Sequence, residues 1–241
     1  MLDDPEYDRA VESFVRAVLS AEARVGEVLL PLARLCWFHG MWSSLSQLLL
    51  RLTSPGVPDI YQGTEIWDDS LVDPDNRRPV DHAPRRAMLR EIQRRAHEDE
   101  TLLPELVRTA ADGRIKLFVI HAALAARRRW PELFAEGSEY VALESAGDKA
   151  EHVVAFARRA AGHELVVVVP RLTARLAGGR AEPPTRAGAG ADPWADTWVA
   201  APGAPFHDVL GGGRVAAGAS GLRVTDALAS FPVALLERPT P

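Results

Sequence analysis

The sequence predicts an α/β half followed by a β half: the last unit of a (β/α)8 barrel, then an antiparallel β-sandwich domain. Three observations carry that expectation. Helical apolar periodicity dominates residues 1–136. One short apolar run, Val57 to Gln62, interrupts it and empties into a long polar segment. From Tyr140 onward, short β-rich runs alternate with Gly and Pro turns. The expected domains are therefore 1–136 and 137–241. A single strand makes no sheet, and a strand flanked by helices normally belongs to a parallel sheet built from several βα units. A full barrel takes about 250 residues, and the helical half is far shorter.

Composition narrows the class. An apolar fraction of 47% and a charged fraction of 25% are those of a soluble globular chain. The net charge of −5 gives no electrostatic footprint for nucleic acid. No apolar run approaches the ~20 residues of a membrane span. The single cysteine, Cys36, leaves no disulfide framework or zinc motif, and is expected to be a buried small hydrophobe. Met1-Leu2 runs straight into Asp3-Asp4-Pro5, so the expected location is the cytoplasm. Lysine occurs only at positions 116 and 149.

The elements follow in order. Asp4 is placed to cap a first helix with Pro5 at its first position, and Val11, Phe14, Val15, Val18 and Leu19 form its apolar face. Leu29, Leu30, Leu32 and Leu35 continue a helical pattern, with Gly26 and Pro31 as irregular points. The period fails across Trp37 to Trp42, which reads as a bulky connection. Ser43 or Ser44 then caps a helix with the stripe Leu45, Leu48, Leu49 and Leu52, stopped by Thr53-Ser54-Pro55-Gly56. Val57 to Gln62 reads as a short buried strand, although Pro58 limits its ladder bonds. Ala83 to Glu98 reads as an Arg-rich solvated helix. Gly113 to Arg129 reads as another, burying Leu117, Phe118, Ile120 and Leu124 and ending in a dipole-complementing Arg127-Arg128-Arg129. In the β half, Gly211-Gly212-Gly213 suggests a hairpin turn, and 176–193 reads as a flexible loop with little to bury. Trp194 and Trp198 are expected to fill a small core rather than present a carbohydrate-binding face. The seven histidines lack metal-ligand spacing, so no metal and no cofactor are expected.

The segment from Gly56 to Asp81 mixes aromatics, carboxylates, an amide and paired arginines. A pyranose offers a C–H face to an aromatic ring and a rim of hydroxyls to carboxylate and guanidinium groups. Site residues of barrel enzymes sit on loops just after the strands. A structural reading stands beside this one: Pro74, Asn76 and Pro79 make tight turns and the arginines pair with neighbouring acids.

The blocks TSPGVPDIYQGTE and SLVDPDNRRPVD resemble the signature of the maltooligosyl trehalose synthases, within the α-amylase family of glycoside hydrolases. GxPxxYxGxE marks the eighth barrel strand across the wider family, and DPDNRRPVD is the more specific part. Lys116 to Phe134, Ala155 to Leu172 and the final FPVALL are similar to the end of that enzyme. The resemblance implies conversion of the reducing-end α-1,4 bond of a maltooligosaccharide into an α,α-1,1 bond, an isomerase acting by intramolecular transglucosylation in trehalose biosynthesis. It implies a retaining double displacement with two carboxyl groups about 5 Å apart. Those groups lie on earlier barrel strands, whose motifs find no match here, so the resemblance assigns this chain no catalytic residue. The candidates for the reducing-end subsites are Tyr61, Gln62, Glu65, Trp67, Asp68, Asp73, Asn76, Arg77 and Arg78. Asp59 is expected to anchor the loop, and Asp73 and Asp75 to orient the two arginines. The expected partner is the maltooligosaccharide substrate. The reading is a C-terminal portion, inactive alone. A complementing partner of a separately encoded barrel half and a stand-alone carbohydrate-binding module are the alternatives; a trehalohydrolase of the same family fits DPDNRRPVD less well.

Overall fold

The computed structural model describes residues 4–20, 24–70, 77–96, 99–188 and 191–239. Helix α1 (Pro5–Val18) starts as its sequence requires: the Asp4 carboxylate accepts the Glu6 and Tyr7 N–H groups at 3.1 Å, with Pro5 at the first helical position. Its apolar face meets no neighbour among the described residues. Phe14 is 68% exposed, and Tyr7, Val11 and Val15 are also exposed.

Helix α2 (Val25–Thr53) corrects the expected break at Trp37–Trp42. It runs unbroken through Pro31 and Gly40, and Ser43 and Ser44 sit inside it rather than capping it. Periodicity fails there because different faces meet different neighbours. His39 is buried, with its ring nitrogens 3.2 Å from Thr173 Oγ1 and 3.0 Å from Arg180 O. Trp42, Leu45, Leu49 and Leu52 face the main core, and Phe38 meets the Trp42 ring edge-on. Cys36 is exposed, not buried. The first half of the helix is exposed nearly all round, and Val28, Leu29, Leu30, Leu32 and Trp37 stand exposed with it.

The helix ends at Thr53, as the stop signal requires, and Gly56 takes φ +108° in the turn beyond. Val57–Gln62 is not a strand. A strand exists only through its ladder, and among the described residues no chain offers a parallel edge there. Helix α3 (His82–Arg95) is capped by Asp81, whose carboxylate accepts the Ala83 N–H at 2.9 Å. A short helix α4 (Leu102–Arg108), absent from the sequence reading, follows. Arg95 and Arg114 both reach Glu105, at 2.8 and 2.9 Å, and so tie α3, α4 and α5 (Arg114–Arg129) together. Arg127 does more than complement a dipole. It donates to Leu52 O and Gly56 O at 2.9 and 3.3 Å, satisfying carbonyls at the C-terminal end of α2, and stacks on Phe134.

The β half has strands β1 (Glu139–Ala142), β2 (Ser145–Ala146), β3 (Val153–Ala160), β4 (His163–Pro170), β5 (Trp198–Val199), β6 (Phe206–Asp208), β7 (Arg214–Val215), β8 (Ala217–Gly218), β9 (Gly221–Arg223) and β10 (Ala234–Pro239). Every pairing among the described residues is antiparallel. One sheet has the order β1-β3-β4-β10-β6-β7 and the other β2-β5-β9-β8. The central strands of the larger sheet, β3, β4 and β10, are buried on both faces. Phe156, Val167 and Leu235 lie in register and join Leu45, Leu49, Ile115 and Phe118 in the helical core. Ala157, Val166 and Leu236 lie in the adjacent register and join Val199 and Leu222 of the smaller sheet. That explains the unalternating run Leu165–Val169.

Short helices α6 (Thr173–Leu176) and α7 (Val224–Ala227) fill the ends. The 176–193 segment buries more than its composition suggested. Thr185 is fully buried, and Arg186 and Ala187 donate to Leu228 O and Ala229 O. Trp194 is also fully buried, its Nε1 donating to Pro184 O at 3.1 Å. The glycine run 211–213 does join β6 to β7 as a hairpin. No described helix is long and apolar enough to cross a membrane.

Two predictions follow from the packing. The bare faces of α1 and the first half of α2 will drive self-association: sedimentation velocity will show species above monomer that grow with concentration, and Phe14→Lys will shift them toward monomer. A monodisperse monomer at every concentration would refute this. The second concerns the β6–β7 hairpin, where burial pushes the Asp208 carboxyl up to about 6 against hydrogen bonds from Leu210 and Gly211 N–H. The folded chain therefore holds this proton more tightly than the unfolded chain does. Linkage makes the Asp208 contribution fall as pH rises from about 4 to about 6. Denaturation midpoints of Asp208→Asn measured across that window will lose this slope relative to the wild type.

Candidate functional site

The Gly56–Asp81 segment does not hang free. Arg51 of α2 donates to Asp59 O at 3.2 Å, so the anchor at position 59 is the backbone carbonyl and not the exposed carboxylate. The Thr64 N–H and Oγ1–H both donate to Tyr61 O, closing a tight turn in which Gly63 has φ +91°. Arg85 of α3 then holds the turn from behind. It donates to Gly63 O at 2.9 Å and Asp81 O at 2.8 Å, and pairs with Glu65 at 3.1 Å. Glu65 is thereby committed to Arg85 and serves the shape of the loop.

The loop next leans on the start of α5. Trp67 Nε1 donates to Ala110 O at 2.6 Å. Gly113, at φ +82°, lies directly under Ile66: a Cβ there would sit 2.8 Å from Ile66 Cβ and 3.1 Å from Trp67 N. Lys116 reaches up one turn later. Its Nζ donates to Ile66 O at 3.2 Å and stands 5.5 Å over the Trp67 ring. Burial pushes the Lys116 ammonium down from its usual range, while Asp68 and Glu65 pull the other way. Asp68 is held below the usual carboxylate range by hydrogen bonds from Ser70, with smaller help from Lys116 and Arg85. The Ser70 N–H reaches Asp68 Oδ1 at 3.0 Å.

Two hollows meet at Lys116 and Ser44. One, of about 260 Å³, is bordered by Gln47, Arg51, Tyr61 and Thr64. The other, of about 200 Å³, is bordered by Trp37, Trp67, Asp68 and Asp69. Tyr61 is 44% exposed at the rim. Amide, hydroxyl, guanidinium, ammonium and carboxylate groups thus alternate with aromatic rings around a shallow surface, the inventory that holds a hydroxyl-rich ring.

Of the nine sequence candidates, Tyr61, Trp67 and Asp68 are brought together around Lys116. Glu65 turns to Arg85, and Gln62, Arg77 and Arg78 are exposed. Asp73 and Asn76 lie outside the described residues, as does Asp75, so the expected orienting of the two arginines falls there too. Sequence reasoning missed Lys116, Arg85, Arg51, Trp37, Ser44 and Gln47. Only Lys116 carried a signal, as one of two lysines in a chain whose other basic residues are arginines. No group of described side chains is arranged to hold a metal ion.

Gly113→Ala will cost about 1–3 kcal/mol, because it combines a left-handed backbone with a contact into the loop. Urea denaturation measures the cost, and a change in tryptophan emission will report displacement of Trp67. Gly40→Ala is the control: a Cβ there meets nothing within 4 Å, and the substitution will be neutral or stabilising. Equal losses at both positions would refute the packing role of Gly113.

No family model matches the chain. Among curated proteins, putative maltooligosyl trehalose synthases of Mycobacterium tuberculosis, strains CDC 1551 / Oshkosh and H37Rv, are each 46% identical over 138 residues. That match takes in 57% of this chain and 15% of each relative, so the matched region spans under a sixth of the relatives' length. The solved maltooligosyltrehalose synthase from Arthrobacter ramosus superposes with a TM-score of 0.72 at 34% identity, covering 97% of this chain and 27% of that one. A crystal structure of maltooligosyl trehalose synthase at 24% identity, TM-score 0.66, shares the fold over 98% of this chain and 27% of its own. Sequence and fold thus identify one family, maltooligosyl trehalose synthase, to which this chain is similar along about a quarter of the enzyme's length, consistent with a C-terminal portion.

Proposed function

We propose that this chain is the C-terminal portion of a maltooligosyl trehalose synthase and supplies the reducing-end wall of its active site. Residues 1–136 close a (β/α)8 catalytic barrel, with Val57–Gln62 as its eighth strand once a neighbouring strand lies beside it. Residues 137–241 form the β-domain that braces it. The complete enzyme converts the reducing-end α-1,4 bond of a maltooligosaccharide into an α,α-1,1 bond by intramolecular transglucosylation in the cytoplasm. The observation that carries this reading is the gathering of Tyr61, Trp67 and Asp68 around Lys116, inside the segment whose motif resembles the family signature.

The chemistry divides between this chain and the rest of the barrel. A retaining double displacement needs two carboxyl groups about 5 Å apart, and none of the residues here is assigned to either. This chain's part is to bind and orient. The released glucose must stay long enough to be attacked through its anomeric hydroxyl, and water must be kept out. Tyr61 and Trp67 offer rings for sugar faces; Asp68, Lys116 and Gln62 offer acceptors and donors for its hydroxyls. Glu65 and Arg85 hold the loop in the shape that presents them.

A stand-alone carbohydrate-binding module on Trp194 and Trp198 keeps little platform, because Trp194 is fully buried and Trp198 is only partly exposed. The exposed apolar faces of α1 and α2 favour assembly with the rest of the barrel instead.

The test uses maltopentaose. The purified chain alone will yield no non-reducing product. With the remaining barrel supplied, conversion will appear, and Tyr61→Ala will raise KM for the oligosaccharide by about tenfold, the loss of roughly one stacking contact. Robust conversion by the chain alone would overturn the division of labour.

A further inference from the structure

Another hollow, of about 250 Å³, lies at the opposite end of α5 from the loop. Trp130 closes that helix and walls the hollow, whose floor is formed by residues of β4, β10 and β6 in the larger sheet. Lys116 and Trp130 are fourteen residues apart, about 21 Å along the helix. One sugar ring cannot touch both.

The strand register places three polar side chains on the helix-facing side of the sheet. Glu237 of β10 is paired with His207 of β6 on one side and with Leu165 of β4 on the other. Cross-strand partners point the same way, so Glu237 and His207 share that face with Leu165. His163 stands two residues before Leu165, hence also on that face. The Trp130 and His163 rings approach to 6.5 Å between centroids.

Glu237 is the unfinished member. Its Oε2 is buried and accepts no hydrogen bond from the described residues. Its Oε1 is 3.9 Å from Arg129, too far for one. Burial pushes this carboxyl above its usual range, opposed only by Arg129 and the two imidazoles. Native chains seldom leave such an acceptor empty. Beneath it the backbone is fixed, because Arg238 and Glu164 pair at 2.7 Å on the other side of the sheet, both almost wholly buried.

We propose that this hollow is a second carbohydrate site, holding one glucosyl ring of an α-glucan. A ring hydroxyl donates to Glu237 Oε2, the His163 and His207 imidazoles hydrogen-bond neighbouring hydroxyls, and a C–H face lies against Trp130. The need for a donor beside an apolar face comes from the hollow itself. A neutral donor suits it better than a cation, since the Arg129 guanidinium already stands 4.9 Å over the Trp130 ring. An anion would face Glu237. The choice of glucan rests on the proposed function above. Such a site would tether the oligosaccharide away from the reacting end.

Maltotriose titrated into the isotope-labelled full chain tests this, with the indole N–H signals of Trp130 and Trp67 followed by NMR. Trp130 will shift saturably. Glu237→Leu will weaken that binding by about tenfold or more while leaving thermal stability equal or higher, because it removes a desolvated carboxylate from an apolar surround. Tyr61→Ala will leave it unchanged. A Trp130 shift that survives Glu237→Leu overturns the site. Shifts at Trp67 alone, or at neither indole, overturn it too, the former leaving the loop reading intact. A Trp130 shift without one at Trp67 upholds the site and counts against the loop.

Discussion

The whole arrangement depends on one strand being buried from both sides. Leu165, Val167 and Val169 of β4 point toward the helices, and Val166 and Val168 point toward the smaller sheet. Helices α2 and α5 have an apolar surface to lie on because of the first set. The smaller sheet has a partner because of the second. At about 25 cal/mol per Å² of apolar surface buried, a strand used twice contributes twice per residue of backbone ordered. Its end is fastened by charge: Glu164 accepts from Arg159 and from Arg238, each at 2.7 Å. A carboxylate buried that deeply is tolerable only because two guanidinium groups and their hydrogen bonds surround it.

Helix α5 carries that anchorage outward to the candidate site. Its buried face fixes it to the sheet, and both its ends reach for loops. At the N-terminal end Gly113 and Lys116 support Ile66 and Trp67. At the C-terminal end Arg127 satisfies carbonyls where α2 stops. The loop from Gly56 onward is therefore held at both its beginning and its middle by one rigid element. This is how a segment with little regular secondary structure can present aromatic and charged groups in a defined arrangement, the requirement for a site that must orient a sugar.

The first half of the chain shows the opposite economy. Helix α1 has sound local reasons to be helical: a side-chain cap, a proline at its first position and an amphipathic repeat, and the uncapped start of α2 follows it in sequence. Nothing among the described residues covers their apolar sides. Local propensity and tertiary burial are separate terms, and here the first is met without the second. The same holds for Val57–Gln62, whose composition suits a buried strand and whose backbone finds no ladder.

How much was legible from the residues alone follows from the range of the forces involved. Short-range chemistry could be read directly: the Asp4 and Asp81 caps, the stop after Thr53, the glycine hairpin and the β runs of the second half each depend on neighbours a few residues away. So did the segment carrying Tyr61, Trp67 and Asp68, because its residue types are unusual for a connector. What required the tertiary structure was every fact set by a distant partner. Within the stretch Trp37–Trp42, where the period fails yet α2 continues, His39 is buried against Thr173 and Arg180, more than 130 residues away. The exposure of Cys36, the burial of Thr185, the commitment of Glu65 to Arg85 and the arrival of Lys116 over Trp67 are of the same kind. Sequence by itself determined which segments could form and what chemistry they carried. Only the folded chain decided which side chains meet, because contact energies act across space while the periodic signals act along the backbone.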